Sequence, residues 1–197
     1  MNQIQVDIPD GESNEWKVET FHVSDEDAEA FNMTQLFQGT YSRTILPGTY
    51  KRLTRNNVTI MSNTRAEIND HIHFIRKAKK GGDILINGLG LGVALKEILE
   101  SKKVKSITVI EKSKDVIKLI KPSFSHDQRV TIHWADAFEW KPPKGKKYDV
   151  VWHDIWDELC SDNLPEMVKL HRKYGHKTKW QGSWSKEIIK ELERIGY

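Results

Sequence analysis

Between Asp83 and Asp154 short apolar runs alternate with helical patterns, and this alternation constrains the fold more than any other feature of the chain. The run DILIN is too short for a helix and is followed at once by glycines, so it reads as a buried strand. Leu91, Ala94, Leu95, Ile98 and Leu99 then recur at three- and four-residue spacing, which predicts a helix with one apolar face. SITVIE predicts a second strand, and Ser113 caps a helix carrying Val116, Ile117 and Ile120 that Pro122 stops. RVTIHW and YDVVWHD predict a third and a fourth strand. NLPEMVKLHRKY and SKEIIKELERI predict two more helices, the second with Ile188, Ile189, Leu192 and Ile195 facing inward. Strands that alternate with helices in this way build a mostly parallel sheet with flanking crossover helices, an α/β fold. The intervening GHKTKWQGSW is too polar to predict a central strand, so the expected sheet is short.

Upstream the pattern differs. Residues 1 to 14 are polar and read as a loose arm or a short edge strand. EWKVETFHV has strand composition, and Ser24 with Asp27 suits the start of a helix that Gly39 ends. From Thr40 to Met61, Thr, Tyr, Ile and Val surround the turn signals Pro47-Gly48 and Asn56-Asn57, which predicts two or three antiparallel strands. Thr64 and Glu67 have the spacing of a capping box, opening a helix through Ile68, Ile72 and Ile75 that Gly81-Gly82 closes. The expected organisation is a small β-rich appendage over residues 1–62 and a main α/β domain over residues 63–197.

Lys and Arg outnumber Asp and Glu by only 31 to 28 and are spread along the chain, so a nucleic-acid surface is not favoured. The single cysteine, Cys160, forms no intrachain disulfide and no zinc pair, and the polar N-terminus does not read as a signal peptide. No apolar run approaches the roughly 18 residues of a membrane span. A cytoplasmic protein without a structural metal is expected. The exposed edges of the β appendage make a homodimer conceivable.

In an open parallel sheet, ligands bind beyond the carboxyl ends of the strands, at the point where strand order reverses. The first predicted strand ends in Asn87, Gly88, Leu89, Gly90, Leu91 and Gly92, a loop whose bare backbone admits a ligand closely. Glu111 ends the second strand roughly twenty residues later, where a carboxylate accepts hydrogen bonds from both hydroxyls of a ribose. Asp136, with Ala137 and Phe138 beside it, follows the third strand, where a short acid accepts from an adenine amino group and its neighbours pack on the ring. Lys112, next to Glu111, completes the expected cofactor set of Asn87, Gly88, Gly90, Gly92, Glu111, Lys112, Asp136 and Ala137. The fourth strand ends in His153, Asp154, Ile155, Trp156 and Asp157. Asp154 is the candidate catalytic acid, because a carboxylate ending a buried strand is costly unless solvated, paired or used. Trp152, Trp156, Trp180 and Trp184 suit either an aromatic pocket or the core.

These motifs resemble the class I S-adenosylmethionine-dependent transferases, over about residues 83 to 157. Within that superfamily the sequence is most similar to the spermidine synthase group. That group's Glu-x-x-x-His signature is matched by Glu67 and His71, and its Asp-x-x-Asp strand end by Asp154 and Asp157. The resemblance implies a Rossmann-like domain, S-adenosylmethionine as cofactor, and Glu67, His71, Trp156 and Asp157 as contacts for a small-molecule acceptor. Glu67 equally suits a helix cap, His71 a packing role and Asp157 the cap of a following turn. Two departures stand out. The acid that holds the amine end of the decarboxylated cofactor is replaced by Leu91, and the Pro and Gly-Pro signature after the second aspartate by Glu158-Leu159-Cys160. Methyl transfer is therefore the expected reaction. Aminopropyl transfer, and a non-catalytic scaffold of the same fold, are the alternatives.

Overall fold

The computed structural model describes residues 4–37 and 43–194, organised around two sheets. The first is antiparallel, with β1 (Gly11–Ser13), β2 (Trp16–Val23), β3 (Gly48–Arg55) and β4 (Val58–Ser62) in that order. Asn56 and Asn57 join β3 to β4 with φ of 50° and 66°, the left-handed pair that a tight two-residue hairpin requires. Residues near the N-terminus supply β1, a short edge strand. Helix α1 (Asp25–Phe37) follows β2 and opens on the expected cap, with Ser24 Oγ accepting the Asp27 N–H at 3.0 Å. Gly39 and Ile195 lie outside the described residues.

The second sheet holds β5 (Gly82–Asn87), β6 (Val104–Glu111), β7 (Val130–Trp134), β8 (Tyr148–His153) and β9 (Thr178–Ser183). All pair in parallel, in the order β7-β6-β5-β8-β9. The chain runs outward from β5 to β7 and then returns to β8, so the order reverses between β5 and β8. This is a Rossmann-like sheet with its switch point at the glycine loop. Side chains alternate across it. Ile84 and Ile86 pack with α3 (Ile72–Ala78), α4 (Val93–Leu99) and α5 (Lys114–Ile120), while Leu85 packs with Leu170 and Tyr174 of α6 (Asn163–Tyr174). The larger core continues into the antiparallel sheet through Trp16, Val18 and Leu53. There Asp115 at the start of α5 accepts hydrogen bonds from Ser13 and Asn14 at 2.7 and 2.9 Å.

Three local expectations are corrected. The polar segment 178–183 is a fifth strand, β9, paired with β8. It is an edge strand, and its polar side chains bond inward instead of packing as apolar ones would. Gln181 Nε2 donates to the His171 carbonyl at 2.9 Å, and Ser183 Oγ lies 2.9 Å from His171 Nε2. Gly182 leaves room for two indoles, since a Cβ there would lie 2.7 Å from Trp180 and 2.8 Å from Trp152. The helix expected from Thr64 to Ala78 divides at His71 into α2 (Arg65–Asp70) and α3, where the His71 N–H bonds three residues back to Ile68. The Thr64–Glu67 capping box does not form. Thr64 Oγ1 bonds Ser62 Oγ at 3.0 Å, which leaves the Glu67 carboxylate for other partners. Near the C-terminus α7 (Lys186–Arg194) buries Ile189 and leaves Ile188, expected to face inward, exposed. None of the described helices is long and apolar enough to cross a membrane.

Trp152 is stacked between Phe74 and Trp180, with ring centroids 5.0 and 6.4 Å apart and planes within 6° of parallel. Trp152 is thus a core residue with the partly buried Trp180 packed against it, and neither lines the main cleft. Phe74 is fully buried, so Phe74→Ala removes one side of the stack and leaves a cavity. A loss of about 3–5 kcal/mol in urea-denaturation stability is expected; a loss below 1 kcal/mol, again about the scale of a trivial core change, would mean that the stack is not a packing unit.

Candidate functional site

A cleft of about 600 Å³ opens at the carboxyl ends of β5, β6, β7 and β8. Trp16, Leu53 and Thr59 to Met61 of the antiparallel sheet form one wall, and the loops after the parallel strands form the other. The volume lies within the range of small-molecule and cofactor sites.

Glu111 closes β6 at the floor of this cleft. Its carboxylate accepts the Leu89 N–H of the glycine loop at 2.8 Å and the Ser113 N–H at 2.7 Å. Burial raises its pKa, and these backbone donors oppose the rise by favouring the charged form. Asp136 accepts the Phe138 N–H at 2.7 Å and pairs with Lys112 at 3.0 Å. Burial acts upward on Asp136, but Lys112 and the Phe138 N–H outweigh it and hold the carboxyl below its ordinary range. Two carboxylates and the bare backbone of Gly88 and Gly90 therefore face one cavity. This donor and acceptor set fits a nucleoside-bearing cofactor, with carboxylate oxygens available to hydroxyl and amino groups.

The inner end of the cleft is acidic. Asp154 leaves β8 with its N–H bonded to the Asn87 carbonyl at 2.8 Å. Burial, with repulsion from Asp70, Glu111 and Asp157, pushes its carboxyl up to about 7. Glu67 is also pushed up to about 7 by burial, against the pull of Arg43 and with repulsion from Asp70 and Asp154. Arg43 reaches Glu67 at 3.5 Å and Asp70 at 3.1 Å, and Arg55 holds Asp157 at 2.7 Å. His71 Nε2 lies 3.7 Å from Asp154 Oδ2, and neither of its ring nitrogens makes a hydrogen bond among the described residues. Burial lowers the His71 pKa to about 4, so the ring is neutral near pH 7 and supplies no counter-charge.

The spermine/spermidine synthase domain matches residues 66–173, just over half of the chain. The chain belongs to this family. Its match opens at α2, ends within α6 and takes in Glu67, Glu111, Asp136, Asp154 and Asp157. No curated protein matches the sequence. Among solved structures, the chain is similar to the N-methyltransferase NodS from Bradyrhizobium japonicum WM9, at 13% identity over 57% of this chain and 62% of that one, with a TM-score of 0.46. It is similar to protein 1320 of Thermoplasma acidophilum at 15% identity, over 66% and 69% of the two chains, with a TM-score of 0.47. A dimethyladenosine transferase from Plasmodium falciparum is 21% identical over 51% of this chain and 36% of that one, with a TM-score of 0.39. The chain thus spans less than two thirds of the first and third of these proteins, and likenesses this loose do not bear on the site.

Of the residues singled out in the sequence, Glu67, Gly88, Gly90, Glu111, Lys112, Asp136, Ala137, Asp154, Trp156 and Asp157 line the cleft. Three do not. The Asn87 side chain is buried on the opposite face, 2.7 Å from His153 Nδ1. Gly92 meets the core, where a Cβ would lie 2.6 Å from the Phe124 ring. His71 sits behind Asp154, against the edge of Trp152. Sequence reasoning missed Trp16, Met61 and Arg43, which line the cleft from the antiparallel sheet or the loop before it. Nothing local marks them, because strand composition does not reveal which face meets a distant site.

A carboxyl whose folded pKa lies above its unfolded value of about 4 binds more protons when folded. Its stabilising contribution is present below that unfolded value and is lost as pH rises through the folded value of about 7 that Asp154 carries. Asp154→Asn is therefore expected to raise stability by about 1–3 kcal/mol at pH 8 relative to its effect at pH 4. Urea denaturation at both pH values measures this; an equal effect at the two would show that Asp154 does not carry the pH dependence.

Proposed function

We propose that the cleft binds S-adenosylmethionine and that the protein transfers its methyl group to a small acceptor held beside Asp154. One observation carries this reading: Glu111, Asp136 and the exposed backbone of Gly88 and Gly90 share one cavity at the switch point of the parallel sheet. When bound, the cofactor supplies a methyl group already activated by its sulfonium, so the protein's task is alignment and exclusion of water. Glu111 takes the ribose hydroxyls and Asp136 the adenine amino group. Trp156 is fixed by donating Nε1–H to Glu166 at 2.8 Å, and with Trp184 it walls the acceptor side. Asp154, poised near 7, orients the acceptor and takes its proton at a carboxylate oxygen.

The family match and the paired acids Glu67 and Asp154 favour a second reading, aminopropyl transfer from the decarboxylated cofactor to an amine. Two features weigh against it. Leu91, where the related synthases carry an acid, is buried in the core. Arg43 and Arg55 already pair with Glu67, Asp70 and Asp157, which leaves Asp154 as the acid of this wall without a cationic partner among them.

Calorimetric titration with S-adenosylmethionine, its decarboxylated form, S-adenosylhomocysteine and methylthioadenosine separates the readings. Binding of the methionine and homocysteine forms is expected; preference for the decarboxylated form would instead favour aminopropyl transfer, and binding of none would remove the cofactor site. Glu111→Ala is expected to weaken S-adenosylhomocysteine binding by about 1–3 kcal/mol, the cost of losing a charged hydrogen-bond partner. Asp154→Asn is expected to abolish turnover with cofactor affinity unchanged within about threefold, a difference under 1 kcal/mol. Full turnover in that variant would take Asp154 out of the chemistry.

A further inference from the structure

We propose that the glycine-loop backbone at Gly90 and Leu91 receives the amino-acid tail of S-adenosylmethionine and that Met61 gates it: the thioether covers this backbone and swings aside when the tail binds. The inference rests on the S-adenosylmethionine reading above.

The loop's N–H groups show where such a tail would compete. The Gly88 N–H donates to the Ile110 carbonyl and the Gly92 N–H to the Leu89 carbonyl, both within the backbone. The Leu89 N–H is taken by Glu111. The Leu91 N–H instead ends on Met61 Sδ at 3.1 Å. A thioether is a weak acceptor, so a ligand carboxylate offered to the same N–H forms the stronger, charge-assisted bond. The same side chain covers the bare backbone of Gly90, where an added Cβ would lie 2.7 Å from Met61 Sδ and 2.9 Å from its methyl carbon. Over Gly90 and the Leu91 N–H the covering group is one side chain, unbranched and adaptable.

Met61 lies in β4, paired with Leu53 of β3 beside a shift in register, and Leu53 is buried in the shared core. The Met61 side chain borders the open cleft on one side and a void of about 20 Å³ beside Leu89, Val93 and Ala94 on the other. A ligand with the nucleoside but no tail has no reason to displace it. The gate consequently lowers affinity for cofactors that carry the aminocarboxylate and leaves tail-less nucleosides alone.

The test compares S-adenosylhomocysteine, which has the tail, with methylthioadenosine, which lacks it. By calorimetry, Met61→Ala is expected to tighten S-adenosylhomocysteine about three- to tenfold by removing the cost of opening, while methylthioadenosine affinity changes by less than about twofold. In the wild-type protein, carrying ¹³C-methyl methionine, the Met61 methyl resonance is expected to move further with S-adenosylhomocysteine than with methylthioadenosine. An equal affinity change for both ligands, or an equal resonance shift, would overturn the gate while leaving the cofactor site standing. If the wild-type protein binds neither ligand, the S-adenosylmethionine reading itself falls and takes the gate with it.

Discussion

The cleft depends on the close approach of β5 and β8 at their carboxyl ends. Gly88 has φ of +98°, and a Cβ there would lie 1.8 Å from the Asp154 carbonyl oxygen. No side chain fits that gap, and only glycine adopts the conformation at low cost. With the Asp154 N–H bonded to the Asn87 carbonyl, the two strand ends are joined backbone to backbone. Asp154 is thereby set beside the glycine loop, while the neighbouring side chains turn to the other face. There Asn87 meets His153, whose pKa burial depresses to about 3, so the ring is neutral and serves the core as a hydrogen-bonding group.

That placement brings several carboxylates together, and their repulsion shapes the rest of the site. Glu67 and Asp70 come from α2, and Asp154 and Asp157 from the loop after β8; burial first, and then repulsion among these acids, raises the pKa of Glu67 and Asp154. The nearest imidazole does not relieve it, because His71 is held neutral. Relief comes from Arg55 in β3 and from Arg43 in the loop before that strand. The antiparallel sheet thus supplies both a wall and the counter-charges of the cleft. Its core is continuous with that of the parallel sheet, which keeps those arginines in position.

The glycine loop illustrates how function and packing overlap in a sequence. Gly88, Gly90 and Gly92 all have positive φ, and each is also required by a neighbour: the Asp154 backbone, Met61 and the Phe124 ring respectively. A pattern of glycines alone therefore carries little functional information. Glu111 and Asp136 are more informative, since one ends and the other closely follows a strand of recognisable period at the edge where ligands bind. The strand β9 was not legible, because an edge strand whose side chains bond to His171 and His153 lacks the apolar signal of a buried one. Glu67 was misread locally as a cap partner; Thr64 bonds Ser62 instead, and the carboxylate turns to Arg43.

By itself the sequence determined the local order of elements from β5 to α6, the glycine loop, and the acids Glu111, Asp136 and Asp154 at strand ends. Burial periodicity and turn chemistry act over a few residues, so they are written in consecutive positions. Only the tertiary structure decided that Asn87, Gly92 and His71 lie outside the cleft lining, and that Met61, Arg43 and Trp16 belong to it. It also decided that Arg43 and Arg55 offset the gathered acids. The physical reason is distance along the chain. Contacts such as Met61 with Leu91, or Arg55 with Asp157, join segments whose own propensities are satisfied either way, and only the packing of the two sheets against each other brings them within reach.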